Sequence, residues 1–481
     1  MGLCPTAHRN HNKSQKGVCH ANSPLRGVKG QFRKFYRRYS IHFNTRTRNV
    51  RRRAEQYFKG LIQSRKRNME RMAEVVPDSD DQSLQHFLTN STWDQWAVID
   101  QVSHDADRLI GGQSNTCLLI DETTFPKKGT KSVGVARQWC GELGKVDNCQ
   151  AGVFAILSCK ERSVPIDCRL FLPKSWVKNK QRCIAAGIPE QDIEFNRKHD
   201  LAFQMVISAR DRGIRYNWVG CDSFYGEDPS FLRALDQMQE VFMADVHKDQ
   251  LIYLEDPEPT VPSGRSKSGR KPKRLKAKTE SIRADRWAKE QPAKAWKRLS
   301  IRDTTKGKLR VDVLHRRVWL WDGKENQAKH WHLIVRREVN GSKIKYSLSN
   351  APANTSLKRL AYMQAQRYWV ERSFQDSKNS CGMGDYQARS WRSWHHHMAL
   401  VMMAMLFMLE QRVEQKDSHP LLSCSDVISL LCHFLPQRTF NEEEVFRQLE
   451  VRHRKRKASI KSAYRRQQQE LRKNRQTNVT K

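Results

Sequence analysis

The sequence predicts an α/β protein built on a mixed sheet with helices on its faces. Short apolar runs of strand length alternate with segments of helical period through residues 111–246. Two of the runs end on an aspartate: Asp121 follows Cys117-Leu118-Leu119-Ile120, and Asp222 follows Trp218-Val219-Gly220-Cys221. A third acid, Glu371, sits inside a later helical stretch, Leu357–Lys378. Two carboxylates at strand ends and one from a packing helix can converge on a pair of divalent ions. Such ions prefer hard oxygen ligands and can drive in-line attack on a phosphodiester.

Each element follows in order. Residues 1–50 are polar and basic without clear period, and are expected to form a flexible basic arm. From Val50 to about Ile110 the pattern turns helical, with Ala54, Tyr57, Phe58, Leu61 and Ile62 at three- and four-residue steps. Pro77-Asp78-Ser79-Asp80 breaks it, and Ser83 opens a short helix carrying Leu84, Phe87 and Leu88. Residues 51–110 therefore read as a helical DNA-binding domain of helix-turn-helix type. A bundle that only packs on the catalytic domain fits the same pattern.

Cys117–Asp121, Cys149–Cys159 and Val164–Leu172 read as three strands. A helix at Asp200–Arg212, a strand at Trp218–Asp222, a helix at Pro229–Gln239 and a strand at Glu240–Val246 follow. This order suits a ribonuclease-H-like, retroviral-integrase-like catalytic domain, its first part being 111–246. Strand-like pieces at Val318–Trp321, His332–Arg336 and Lys343–Leu348 then interrupt it, so 247–355 reads as a β-rich inserted subdomain. Within it, Ser263–Lys278 holds eight basic residues and no acid, among them Arg270, Lys271, Lys273 and Arg274. Such a loop suits clamping of a DNA backbone. Helices at Leu357–Lys378 and Trp394–Arg412 return to the catalytic domain over 356–415, and 416–481 reads as a basic tail.

Charge names the partner. Lys and Arg number 88 against 51 Asp and Glu among 481 residues, a formal charge of +37. That balance favours a polyanion. The longest apolar run, Met398–Leu409, has 12 residues and is too short to cross a bilayer, so double-stranded DNA is expected rather than a membrane. Twelve cysteines without a CxxC pair read as reduced thiols of a cytoplasmic protein, here one associated with the nucleoid.

Around Glu371 the spacing carries more information. Arg367, Glu371 and Lys378 fall at i, i+4 and i+11, net offsets of roughly +40° and −20° on a helix of about 100° per residue, so all three share one face. A surface salt-bridge ladder has this spacing too. Tyr368, Trp369, Val370 and Phe374 make the helix partly buried, which gives weight to a metal-binding Glu with basic neighbours for phosphate.

Asp121-Glu122-Thr123-Thr124-Phe125-Pro126-Lys127-Lys128-Gly129, followed by Ser132–Gln138, resembles bacterial DDE transposases, the insertion sequence 701 family in particular. Leu172-Pro173-Lys174-Ser175-Trp176 and Asp222-Ser223-Phe224-Tyr225-Gly226 continue the likeness, which runs from about Arg51 to Arg412. The related insertion-sequence-4 group carries Tyr-x2-Arg-x3-Glu-x6-Lys around its last acid. Arg367, Glu371 and Lys378 match that spacing, while Gln364 stands at the Tyr position.

The resemblance implies a transposase whose Asp121, Asp222 and Glu371 hold two Mg²⁺ ions, with Mn²⁺ able to substitute. It implies cleavage at terminal inverted repeats, joining to target DNA, and a dimer on DNA, because two ends have to be synapsed. Arg367 and Lys378 would contact phosphate near the metals. Lys127 and Lys128, just beyond Asp121, are candidates for the same task, with a solvated loop as the plain reading. Trp319 and Trp321, two apart on a strand, should face one side, where one could stack on an unpaired base; core packing is the plain reading. Two other classes compete. A covalent recombinase would recruit Tyr386, Arg389 and His395-His396-His397, and a domesticated transposase would bind DNA without cutting it.

Overall fold

The computed structural model describes residues 27–45, 49–262, 273–304, 307–339, 341 and 343–479. Five helices come first: α1 (Val28–Tyr39), α2 (Arg51–Gln63), α3 (Met69–Val75), α4 (Asp81–Thr89) and α5 (Gln95–Ile110). The strands β1 (Thr116–Pro126), β2 (Ala136–Cys140), β3 (Lys145–Cys159) and β4 (Arg162–Leu170) follow. Next are α6 (Lys174–Val177), α7 (Lys180–Ala185), α8 (Lys198–Asp211), β5 (Val219–Cys221), α9 (Ser223–Gly226), α10 (Pro229–Gln237) and β6 (Phe242–Val246). The later part comprises β7 (Leu251–Ile252), β8 (Ile282–Arg283), α11 (Ala284–Glu290), β9 (Lys297–Thr304), β10 (Gly307–Leu320), β11 (Lys329–Glu338) and β12 (Ile344–Ser349). Five helices close the chain: α12 (Leu357–Gln366), α13 (Tyr368–Cys381), α14 (Trp391–Glu414), α15 (Cys424–Phe434) and α16 (Glu442–Val479).

The centre of the sheet has ribonuclease-H-like topology. β1 pairs antiparallel with β3, whose outer edge carries both β2 and β4. On its other side β1 pairs parallel with β5, and β5 parallel with β6. The parallel pairs need crossover connections, which α8 and α10 provide. Val219-Gly220-Cys221 is buried on both faces, as such a strand requires, and so contains no alternation.

The 247–355 segment, expected as a β-rich inserted subdomain, extends the central sheet. Its last strand, β12, pairs antiparallel with β6, and β11, β10 and β9 continue outward, giving one ten-stranded sheet. An exposed β6 would present a row of unpaired backbone groups, and β12 covers it. The segment's return to the sheet also delivers the chain to α12 and α13.

The N-terminal arm is corrected as well. From Val28 onward it is a helix whose Val28, Phe32, Phe35, Tyr36 and Tyr39 are buried. Phe32 stacks on Phe58 of α2, with centroids 5.0 Å apart, and meets Phe407 of α14 edge-on at 5.6 Å. Lys29, Arg33, Lys34, Arg37 and Arg38 share the same twelve residues, so the mean polarity hides the apolar stripe. Residues 1–26 lie outside the described residues. The C-terminal tail likewise carries α15, which buries Cys424, Val427 and Leu431.

Helices α2–α5 pack on the body of the protein. Leu84, Phe87 and Leu88 of α4 are buried, and the Ser103 hydroxyl of α5 donates to the Ile166 carbonyl of β4 at 2.8 Å. The apolar run seen in the sequence is the middle of α14, buried nearly end to end. Among the described residues no helix is long and apolar enough to cross a membrane.

Three consecutive histidines, His395, His396 and His397, are buried in α14. His397 Nε2 lies 3.1 Å from the Gly382 carbonyl and Nδ1 2.9 Å from the Tyr57 hydroxyl, an arrangement that suits a neutral ring donating at Nε2 and accepting at Nδ1. Burial lowers the three pKa values to about 3, about 4 and about 4 respectively. The unfolded chain, with histidine near 6.5, then binds more protons than the fold below that pH. Stability should therefore fall as pH drops from about 6.5 toward 4, by about 1.4 kcal/mol per ring at about pH 5.5. Urea unfolding at pH 7.5 and 5.5 checks this; an unchanged midpoint would contradict it.

Candidate active site

The sheet register builds the site. Ile120 pairs with Cys221, and Cys221 with Ala244. The next residues are Asp121 in β1, Asp222 directly after β5, and Asp245 in β6, so three acids follow neighbouring paired positions of the sheet. Antiparallel β12 places Ser347 opposite Asp245. Asp222 also caps α9, accepting from the Phe224 and Tyr225 amides at 3.1 and 3.4 Å. That short helix is pressed against β6. A Cβ on Gly226 would lie 2.0 Å from the Asp245 carbonyl oxygen, which is why the Asp222–Gly226 motif ends on glycine.

Arg367 stands among these acids. It sits at the break between α12 and α13, where its own carbonyl accepts from the Val370 amide at 3.1 Å in a tightened turn. Its Nη1 donates to Asp121 Oδ2 at 3.1 Å and its Nη2 to Glu371 Oε1 at 3.0 Å. Its Nε forms an ion pair with Asp245 Oδ2 at 3.2 Å. Glu371, 62% exposed, forms the open side of the cluster.

The electrostatics are those of crowded acids. Burial pushes the Asp121 carboxyl well above its usual range and the Asp222 charge pushes it further, with Arg367 opposing. Asp222 is raised by burial and then by Glu122, again against Arg367. Glu122 ties down the surroundings, accepting from Lys198 of α8 and from the Tyr225 hydroxyl, each at 2.8 Å. Among the described residues no group of three His, Cys, Asp or Glu side chains forms a ready-made metal cage. The donor chemistry nevertheless fits a hard divalent ion: the half-buried carboxylates of Asp121 and Asp222 gain from a cation, and Glu371 is linked to Asp121 through one guanidinium.

The remaining sequence-predicted residues separate into groups. Lys378 lies beside the site, its Nζ 3.4 Å from the Thr124 carbonyl of β1 and 2.5 Å from Glu142 Oε2. Lys128, Lys273 and Arg274 are exposed, while Arg270 and Lys271 lie outside the described residues. Lys127 is corrected. Its Nζ sits 3.6 Å from the centre of the Tyr386 ring and donates to the Tyr386 carbonyl, and burial lowers its pKa to about 8, so it faces inward rather than toward a phosphate.

The tryptophans part company too. Trp319 is stacked on His330, its pairing partner on the next strand, at 4.4 Å. Trp321 lies beyond the end of β10, gives its indole N–H to the Glu325 carbonyl at 2.7 Å, and lines a cavity of about 70 Å³ with Gly226, Leu232 and Trp331. Tyr386 is buried, with its hydroxyl donating to Gln150 Oε1 at 2.7 Å and its pKa raised by burial. The covalent reading thereby loses its nucleophile, and His395–His397 are core residues. Asp245, Ser347 and Glu122 were not singled out in the sequence, although Asp245 follows Phe242-Met243-Ala244 much as Asp121 follows its own strand.

A family model described as DDE superfamily endonuclease matches residues 40–308, more than half of the chain and inclusive of Asp121, Asp222 and Asp245. The chain belongs to the DDE superfamily endonucleases. The matched region of this endonuclease stops short of Arg367 and Glu371. A relative from Microchaete diplosiphon, "Probable transposase for insertion sequence element IS701", is 23% identical over 332 residues, 68% of this chain and 74% of its own length.

Proposed function

We propose that this DDE endonuclease is a transposase that cuts the ends of an insertion sequence and joins them to target DNA. The observation that carries the reading is that Asp121 and Asp222 follow the paired residues Ile120 and Cys221, with Glu371 brought to Asp121 from α13 through Arg367. Asp121, Asp222 and Glu371 would hold two Mg²⁺ ions, with Mn²⁺ as a substitute. Bound there, such ions activate a water or a 3′-hydroxyl and stabilise the leaving oxygen.

The protein's own groups do the rest. Arg367, and Lys378 beside β1, offer cations for phosphate oxygens, and Lys128, Lys273 and Arg274 are exposed for the backbone further out. Trp321 is better placed than Trp319 to receive an unstacked base, since His330 already covers the Trp319 ring. Stacking of that kind contributes about 1–3 kcal/mol per base. Recognition of the ends by residues 51–110 would fall to the outward face of α2–α4, because the inward face is taken up in the core.

The products test the reading. Incubating the protein with a labelled duplex carrying the element's own terminus should give nicks with free 3′-hydroxyls in Mg²⁺ and none in EDTA. Nicking in EDTA with DNA left covalently attached to protein would refute it.

A further inference from the structure

We infer that Asp245, held by Ser347 and Gln364, is a positioning residue that fixes where the Arg367 guanidinium stands among the acids of the site. The inference rests on the metal-dependent reading above and adds residues which that reading does not use. Asp245 is half-buried, its side chain 14% exposed, and both of its oxygens are engaged. Oδ1 accepts from the Ser347 hydroxyl at 2.6 Å, and Oδ2 lies 3.2 Å from Arg367 Nε, an ion pair without hydrogen-bond geometry. The Ser347 oxygen in turn accepts from Gln364 Nε2 at 2.7 Å. Ser347 and Gln364 are 0% and 2% exposed, so water does not compete for the bond between them.

The relay has a chemical rationale. Arg367 is the cation shared by Asp121, Asp245 and Glu371. Two of those partners are carboxylates wanted for divalent ions. A half-buried guanidinium that loses a counterion leans on those that remain, so without Asp245 it would grip Asp121 and Glu371 harder and compete with the metal. Asp245 supplies a counterion that the metal site does not need. Its place one strand beyond Asp222 sets it at the correct height in the sheet, and the Ser347 hydroxyl fixes its rotamer. Gln364 stands where the related insertion-sequence-4 group has its Tyr, and here its side chain is directed into the relay.

A thermodynamic cycle on the full chain tests this. Mn²⁺ affinity is measured by titration calorimetry, without DNA, for wild type, Asp245→Asn, Arg367→Gln and the double variant, with thermal melts to verify folding. Losing one negative charge weakens Mn²⁺ binding in both backgrounds, and that part cancels in the comparison. With Arg367 present, Asp245→Asn should weaken Mn²⁺ binding by roughly tenfold more than it does in the Arg367→Gln background, the coupling expected of side chains in contact. Asp245→Glu, which keeps the charge and moves it by one methylene, tests the same coupling if Asp245→Asn does not fold. Equal effects in the two backgrounds would overturn the inference, as would loss of Mn²⁺ binding in the double variant with Arg367→Gln alone still binding, which would make Asp245 a ligand. A folded wild type that binds no Mn²⁺ would overturn the metal-dependent reading itself, and this inference with it.

Discussion

Asp121→Asn should lower cleavage of the element's terminus by about 10³-fold or more, as expected when a ligand to catalytic metal ions is lost. Binding to the same duplex should be nearly unchanged. Stability should hold. The asparagine oxygen can still accept from the Glu122 amide, which Asp121 engages at 2.7 Å. Burial and the neighbouring Asp222 disfavour the Asp121 charge by more than Arg367 favours it, so removing the charge costs the folded state little even though the Arg367 ion pair is lost. A variant that is dead for cleavage yet melts no lower than wild type marks a residue kept for chemistry rather than for folding. Cleavage assays beside thermal melts decide it; joint loss of folding and binding would mark Asp121 as structural.

Affinity for DNA should fall by about 10³–10⁵ between about 50 and 200 mM salt, the response of a protein that neutralises six to ten phosphates. The formal charge of +37 supplies the driving force, and the structure shows where some of it is available. Lys128, Lys131, Lys273 and Arg274 are exposed, and the outer part of α16 exposes Arg454, Lys457, Lys461, Arg465 and Arg466. Like charges at this density along a helix repel one another, and a polyanion would relieve that repulsion. Fluorescence anisotropy of a labelled terminus across the salt range measures the slope. A flat response would contradict the electrostatic account of binding.

Asp121 and Asp222 were legible because each follows a short apolar run, a local signal that survives without knowledge of pairing. Glu371 was legible through its spacing from Arg367 and Lys378. Asp245 was not, since its meaning depends on a register between β5 and β6 and on an antiparallel partner, Ser347, about a hundred residues away. The inward turn of Lys127 onto Tyr386 is equally non-local, and the motif containing Lys127 says nothing of it. Helix α1 was hidden because five basic residues share its length with the buried aromatics. The β-rich character of 247–355 could be read from its apolar runs. That β12 would join β6, making one sheet, could not, because an edge strand and a separate subdomain leave the same pattern in the sequence.

On the proposed reading Glu371 completes a metal-dependent site begun by Asp121 and Asp222, although it lies beyond the region the family model matches and on the exposed side of the cluster. The direct measurement is nicking of the labelled terminus in Mg²⁺ by wild type and by Glu371→Gln. Wild type should nick and the variant should not, with equal DNA binding and equal melting temperatures. Nicking by Glu371→Gln at the wild-type rate would contradict that reading.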